Sequence, residues 1–131
     1  MDLCKDCRTE GVMTNRPAPY PGPRCATHHR QVVKRRNAAS HERAVQARYG
    51  LEEGDYMRLY WLQGARCAGC QRSTGLIRRL AVDHNHATGE VRGLLCKPCN
   101  RMVGWFRDDP ATFLRLAEYL TNPPARRLRE A

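Results

Sequence analysis

The chain has 131 residues, 41% of them apolar and only 7% aromatic, and its formal charge is +10. A chain of this length holds one ordinary domain or two small ones, and so thin an apolar supply calls for an external staple. No apolar run approaches the roughly 20 residues that span a bilayer, which excludes an integral helical membrane protein, while the basic balance favours a polyanionic partner, nucleic acid above all, through counterion release.

In chain order, residues 1–28 read as a zinc knuckle with a long insert. Cys4-Lys5-Asp6-Cys7 and Cys25-Ala26-Thr27-His28 bracket a stretch holding Pro17, Pro19, Pro21 and Pro23, which predicts an extended insert. Residues 29–50 form a basic linker helix: His29 to Tyr49 lack Pro and Gly, and Gly50 is placed to stop them. Their apolar residues Val32, Val33, Val45 and Tyr49 are outnumbered by Arg and Lys, so most of this helix faces water or phosphate.

A third segment, residues 51–121, has a denser texture. A short helix over about Glu52 to Gln63 aligns Tyr56, Leu59, Tyr60 and Gln63 on one face and closes at Gly64. After the pair Cys67 and Cys70, the segments Leu80-Ala81-Val82 and Val91-Arg92-Gly93-Leu94-Leu95 flank a turn at Thr88-Gly89 and predict a hairpin. Cys96-Lys97-Pro98-Cys99-Asn100 then opens a helix, with Pro98 tolerated in its first turn, giving the order β-β-α. Trp105 and Phe106 read as core rather than base-stacking residues. Asp108-Asp109-Pro110 starts a final helix whose apolar face is Phe113, Leu114, Leu116, Ala117 and Leu120, and a basic tail, residues 122–131, is expected to be mobile after Pro123-Pro124. The fold class expected is a small zinc-stabilised α+β protein.

All seven cysteines have a ligand-spaced partner. Cys67, Cys70, Cys96 and Cys99 form two CxxC pairs, and that spacing lets two sulfurs on one tight turn reach a tetrahedral ion at about 2.3 Å. Four protein ligands leave no open position, so this zinc is structural. The second set, Cys4, Cys7, Cys25 and His28, follows the same logic, with His29 an adjacent candidate for the fourth place. Together they predict two structural zinc ions. Seven thiolates and two such ions leave a charge of about +7, still strongly basic. A disulfide framework suits secreted chains with an even cysteine count; no amino-terminal apolar signal segment is seen, and a reducing cytoplasm is expected.

Between the halves of the second cysteine set lies Asp83-His84-Asn85-His86, and Asn100 follows its last cysteine. With Asp83 and His84 ending a strand and Asn100 in the first turn of a helix, the zinc clamp would bring them together. Such a cluster has the parts for one-metal phosphodiester hydrolysis. Asp83 and the Asn100 amide oxygen suit a hard divalent cation, and a neutral imidazole such as His84 takes a proton from water near neutral pH.

These segments resemble the recombination endonuclease VII family, a phage-type branch of the HNH or His-Me finger nucleases, over about Tyr49 to Leu120. The resemblance is carried by Tyr49-Gly50-Leu51, Gln63-Gly64, Arg66-Cys67-Ala68-Gly69-Cys70, Leu80-Ala81-Val82-Asp83-His84-Asn85-His86-Ala87-Thr88-Gly89, Val91-Arg92-Gly93-Leu94-Leu95-Cys96 and Cys99-Asn100. It implies a ββα-metal core with flanking helices, Asp83 and Asn100 as ligands of a catalytic Mg²⁺ or Mn²⁺, His84 as general base, and cleaved DNA with 5′-phosphate and 3′-hydroxyl ends. His86 is assigned to phosphate positioning or support of His84, with a surface histidine as the alternative. The family's best-known member resolves branched DNA as an intertwined dimer with a further carboxy-terminal domain, so junction resolution is not implied here. It also carries an acidic residue where this chain has Val103.

The expected partner is DNA, whether duplex, nicked or branched, with the chain a monomer or homodimer. Arg30, Lys34, Arg35 and Arg43 of the basic helix are the candidate phosphate contacts; Arg78, Arg79, Arg92, Arg101 and Arg107 are candidates to hold the scissile strand, with a structural pair as the alternative for Arg92. The alternative function is a zinc-dependent DNA-binding or packaging adaptor without catalysis.

Overall fold

The computed structural model describes residues 3–12, 16–73 and 78–130. It is a small α+β protein with a two-stranded sheet and two cysteine-rich clusters, divided into two compact units, residues 1–53 and 54–131. No helix among the described residues is long and apolar enough to cross a membrane.

In the first unit, a short helix α1 (Lys5–Thr9) follows Cys4, and a long helix α2 (Ala26–Tyr49) follows Cys25. The proline-rich stretch between them makes the isolated bridges Leu3 to Pro17 and Tyr20 to Arg24. α2 begins three residues before the expected His29, because Cys25 is an extended N-cap and the helix opens immediately behind it, which puts His28 in its first turn. Gly50 ends α2 in the left-handed region at φ 66°, its amide reaching the Gln46 carbonyl at 3.0 Å. Only His28 and Val45 of α2 are buried, and the core of this unit is Cys4, Cys7 and Cys25 with Ala18 packed against them.

The second unit contains α3 (Asp55–Leu62), the strands β1 (Ala81–His84) and β2 (Val91–Leu95), α4 (Lys97–Trp105), α5 (Pro110–Thr121) and a 3₁₀ helix, Pro124–Arg129. The last of these occupies the segment where composition alone suggested a mobile tail. β1 and β2 pair antiparallel, Val82 opposite Leu94 and Asp83 opposite Gly93, with an irregularity between Asp83 and His84. Asn85 shapes the hairpin turn: its side-chain oxygen accepts from the Ala87 amide at 2.9 Å and its carbonyl from Gly89 at 2.7 Å, Gly89 taking φ 77°.

A two-stranded sheet is marginal alone and needs support from outside. Gln63 supplies it on the outer edge of β2: the Leu94 amide donates to Gln63 Oε1 at 2.7 Å, and Gln63 Nε2 donates to the Leu94 carbonyl at 2.8 Å and to the Arg66 carbonyl at 2.9 Å. One side chain thus satisfies both backbone groups that a third strand would have paired. Gly93 leaves room for it, since a Cβ there would meet Gln63 Oε1 at 3.0 Å. Tyr56 secures α3 by donating to the Leu80 carbonyl at 2.6 Å, and Tyr56, Leu80, Val82, Leu94 and Leu95 form the apolar core with Cys67 and Cys96.

Two expectations about packing fail. Trp105 is 78% exposed, and only its neighbour Phe106 turns inward, meeting Phe113 edge-on at 5.4 Å. α5 packs through Thr112 and Phe113 alone, while Leu114, Leu116 and Leu120 of its expected apolar face are exposed. This short unit is too small to provide a core for both.

Gln63→Ala should therefore lower the free energy of unfolding by about 2 kcal/mol, the cost of stranding the Leu94 amide at a half-covered edge and leaving the Leu94 carbonyl to the Ala68 amide alone. Urea unfolding followed by circular dichroism measures it; a loss below roughly 0.5 kcal/mol, within the range of an ordinary surface change, would show that water replaces the amide.

Candidate functional site

Each unit is organised around one cysteine cluster. In the first, the ligand atoms of Cys4, Cys7, Cys25 and His28 lie within 4.8 Å of one another, and all four residues are buried. Sulfurs bound to a tetrahedral zinc at about 2.3 Å stand about 3.8 Å apart, and a sulfur and an imidazole nitrogen about 3.5 Å. The Cys7 to Cys25 sulfur separation is 3.9 Å, and His28 Nδ1 lies 3.3, 3.4 and 3.3 Å from the sulfurs of Cys4, Cys7 and Cys25. The fourth donor is thus His28, and its neighbour His29 instead stacks on Tyr20 at 4.3 Å. Behind the ring, His28 Nε2 meets Glu10 Oε2 at 3.0 Å, which fixes Nδ1 toward the sulfurs. Glu10 also raises the imidazole to about 9. No spacing rule identifies such a carboxylate, and the sequence carries no signal for it.

The second cluster joins Cys67, Cys70, Cys96 and Cys99, again within 4.8 Å, with Cys70 and Cys96 sulfurs 3.7 Å apart. Cys67 is fully buried. Burial opposes its ionisation, but the backbone amides of Cys96, Cys70 and Gly69 outweigh that and bring the thiol down to about 6. Cys99 goes the other way, pushed up to about 12 by burial and by the neighbouring sulfurs of Cys96, Cys70 and Cys67. The first cluster repeats the split: in Cys4 the backbone amides of Cys25 and Cys7 overcome burial and lower the thiol to about 6, while burial and the Cys4 and Cys25 sulfurs lift Cys7 to about 11. Neither cluster can carry all its thiolates without a cation among them. Both could hold zinc.

The second cluster straddles the hairpin. Ala68 donates its amide to the Leu94 carbonyl at 3.1 Å, Cys96 donates to Cys67 Sγ at 3.3 Å, and Gly69 lets Cys99 approach to where a Cβ would touch its sulfur at 3.3 Å. The start of α4 is thereby tied to the loop before β1, and α4 packs against both strands. Its part-buried residues are Cys99, Asn100, Val103 and Phe106, so Asn100 lies on the covered side, one turn before Val103, which shares a cavity wall with Asp83 and Arg92.

Asp83, 8% exposed, is held by Arg92 in a two-pronged pair: Nε donates to Oδ2 at 2.7 Å and Nη2 to Oδ1 at 3.0 Å. Arg92 also donates to the His84 carbonyl at 3.2 Å and pairs with Asp108 Oδ2 at 3.2 Å. Asp108 reaches it because Arg107 and Asp108 both turn left-handed, at φ 56° and 57°, between α4 and α5. Of the two roles expected of Arg92, the structure displays the pair. Asp108 was visible in the sequence only as part of a helix start. One guanidinium between two carboxylates leaves a net negative charge, while Asn100 is not among the residues that line the cavity with Asp83. The carboxylate oxygens suit a hard divalent cation, provided Arg92 yields its hold on Asp83.

His84 ends β1 and is half-buried, and its ring lies 4.5 Å from that of the exposed His86. Arg30, Lys34, Arg35 and Arg43 are all exposed along α2.

A family model described as recombination endonuclease VII matches residues 41–122. The chain is 51% identical over 123 residues to the Gene 59 protein of Mycobacterium phage L5, covering 93% of this chain and 75% of the relative. It is 49% identical to the Gene 59 protein of Mycobacterium phage D29, covering 93% and 74%. No solved structure matches.

Elemental analysis should find two zinc ions per chain. Glu10→Ala should keep both in the purified protein but weaken the first site by about 10- to 100-fold in competition with a chromogenic chelator, the usual cost of removing a carboxylate behind a ligating histidine. Equal chelator resistance in parent and variant would mean that the Glu10 contact does not orient the ring.

Proposed function

The chain belongs to the recombination endonuclease VII family, and from this we propose that it is a phage-type, metal-dependent DNA endonuclease of the HNH class, built on a ββα-metal core. The observation that carries the proposal is the cysteine cluster that binds the hairpin bearing Asp83 and His84 to the helix bearing Asn100.

In this mechanism His84 accepts a proton from the water that attacks the scissile phosphorus. The bond from phosphorus to the 3′-oxygen breaks, the departing oxygen takes a proton from solvent, and the products carry 5′-phosphate and 3′-hydroxyl ends. His86, beside His84, positions the phosphate. Asp83 and Asn100 would hold Mg²⁺ or Mn²⁺, which when bound supplies Lewis-acid stabilisation of the charge developing on phosphoryl and leaving oxygens. Arg92 has Asp108 as a second partner, so it can release Asp83 without being left unpaired. Arg30, Lys34, Arg35 and Arg43 contact DNA phosphates.

One observation favours a second reading, a zinc-dependent DNA-binding or packaging adaptor without catalysis: both oxygens of Asp83 are already taken by Arg92. Two experiments separate the readings. Supercoiled, linear, nicked and four-way DNA incubated with Mg²⁺ or Mn²⁺ should be cut by the parent, whereas His84→Ala should lose at least about a hundredfold in rate, the lower end for a general base, with zinc content unchanged. DNA that is bound but left intact by both proteins would establish the adaptor. Removing Arg92 gives the second test. Arg92→Ala should destabilise the fold by about 2 kcal/mol, less than for a fully buried pair because a third of the guanidinium is exposed. Millimolar Mg²⁺ should then raise the melting temperature of this variant more than that of the parent. Equal responses would argue against a cation at Asp83.

A further inference from the structure

The outer face of α4 carries a feature that the endonuclease mechanism leaves unused. Its exposed residues include Lys97, Arg101 and Trp105, spaced four apart, with Pro98 and Met102 beside them. With Arg78 and Phe106 they line an open groove of about 530 Å³. Three properties of the groove bear on its occupant. Trp105 is 78% exposed and Met102 51%, while Phe106 beneath them is braced against Phe113, so an apolar wall stands on a firm floor. The three cations have no carboxylate partner among the described residues, unlike Arg24, Arg58, Arg92 and Arg115, each held by an aspartate. Among the described residues no acidic side chain lines the groove.

Unpaired cations around an open indole match the chemistry of a nucleotide: phosphates for the cations, a base face for the ring. In a double helix the base faces are covered by their neighbours, and only a base outside the stack can lie on an aromatic ring. We propose that this groove is a subsite for an unpaired nucleotide of the DNA substrate, with Trp105 stacking on the base and Arg101, Lys97 and Arg78 holding its flanking phosphates. The inference rests on the DNA reading above and adds to it a preference for substrates containing single-stranded positions.

The chain has two tryptophans, so Trp61→Phe leaves Trp105 as the reporter. The zinc-loaded full chain in this background, without added Mg²⁺ or Mn²⁺, is titrated with a short oligothymidylate and with a blunt duplex of equal length. The single strand should quench Trp105 emission. Trp105→Ala in the otherwise native chain should weaken single-strand binding, followed by anisotropy of a labelled oligonucleotide, at least about fivefold and leave duplex binding unchanged; Trp105→Phe should restore most of it. Arg101→Ala should lower the slope of log affinity against log salt by about 0.7 for the single strand.

The proposal is overturned if saturating oligothymidylate leaves Trp105 emission unmoved, or if Trp105→Ala binds it as tightly as the parent. It is equally overturned if sedimentation shows a dimer that Trp105→Ala dissociates, which would make the groove a contact between two copies. A parent that neither binds nor cuts any DNA removes the endonuclease reading together with this one. A parent that cuts duplex DNA while Trp105→Ala binds single strands normally removes the groove assignment alone.

Discussion

Four sulfur atoms within 4.8 Å of one another govern the second unit of this protein. Their residues come from opposite sides of the hairpin, so whatever holds them together also fixes the loop before β1 to the start of α4. Charge decides what that must be. Backbone amides bring Cys67 down to about 6 while burial and its sulfur neighbours push Cys99 up to about 12, so the cluster alone opposes gathering four thiolates. A dication reverses that preference, because each thiolate then gains a partner instead of a rival. Zinc fits this role in charge, donor type and distance.

The remaining contacts of the unit compensate for its smallness. A third strand would normally cover the outer edge of β2; here one glutamine amide does so, which works only because Gly93 has no side chain in the way. Arg92 does the corresponding work on the side of Asp83, joining β2 to β1 and to the turn between α4 and α5. Each is a single side chain doing what a larger core would distribute over many. The exposed leucines of α5 and the exposed Trp105 have the same origin: with two strands and three short helices there is too little interior to bury every apolar residue.

Much of this was legible in the sequence, for identifiable reasons. Cysteine pairs, the Thr88-Gly89 turn and the stop at Gly50 are local signals, each set by residues within a few positions of one another, and β2 and the opening of α4 fall where those signals predicted them. What stayed hidden depends on contacts between distant residues. Neither the choice of His28 over His29 nor the part played by Glu10 follows from spacing; α2 opening directly behind Cys25 decides the first, and the 18 positions between Glu10 and His28 conceal the second. Gln63 read as one more residue on a helix face, when its amide is spent on a strand 31 positions away. Arg92 was open to two roles until the fold brought Asp108 to it. Hydrophobic periodicity was a poorer guide, since it indicates which face of α5 is apolar and not whether anything covers that face.

The same contrast between paired and unpaired side chains organises the basic charge. Arg24, Arg58, Arg92 and Arg115 each have an aspartate close by. The exposed cations of α2 and of the outer face of α4 are disposed differently, along helix surfaces that on α4 also carry the exposed Met102 and Trp105. A net charge of +10 in so small a chain carries a cost in self-repulsion, and that cost falls when polyanion phosphates supply the counter-charge. Confining the paired arginines to holding loops and strands leaves the unpaired ones available for such a partner. Arg92 sits where the two groups meet: its guanidinium holds the fold through Asp108 and at the same time guards the carboxylate that the proposed chemistry needs. The pair at Asp83 is therefore where the stability of the fold and the proposed activity draw on the same atoms, and where one has to yield for the other to proceed.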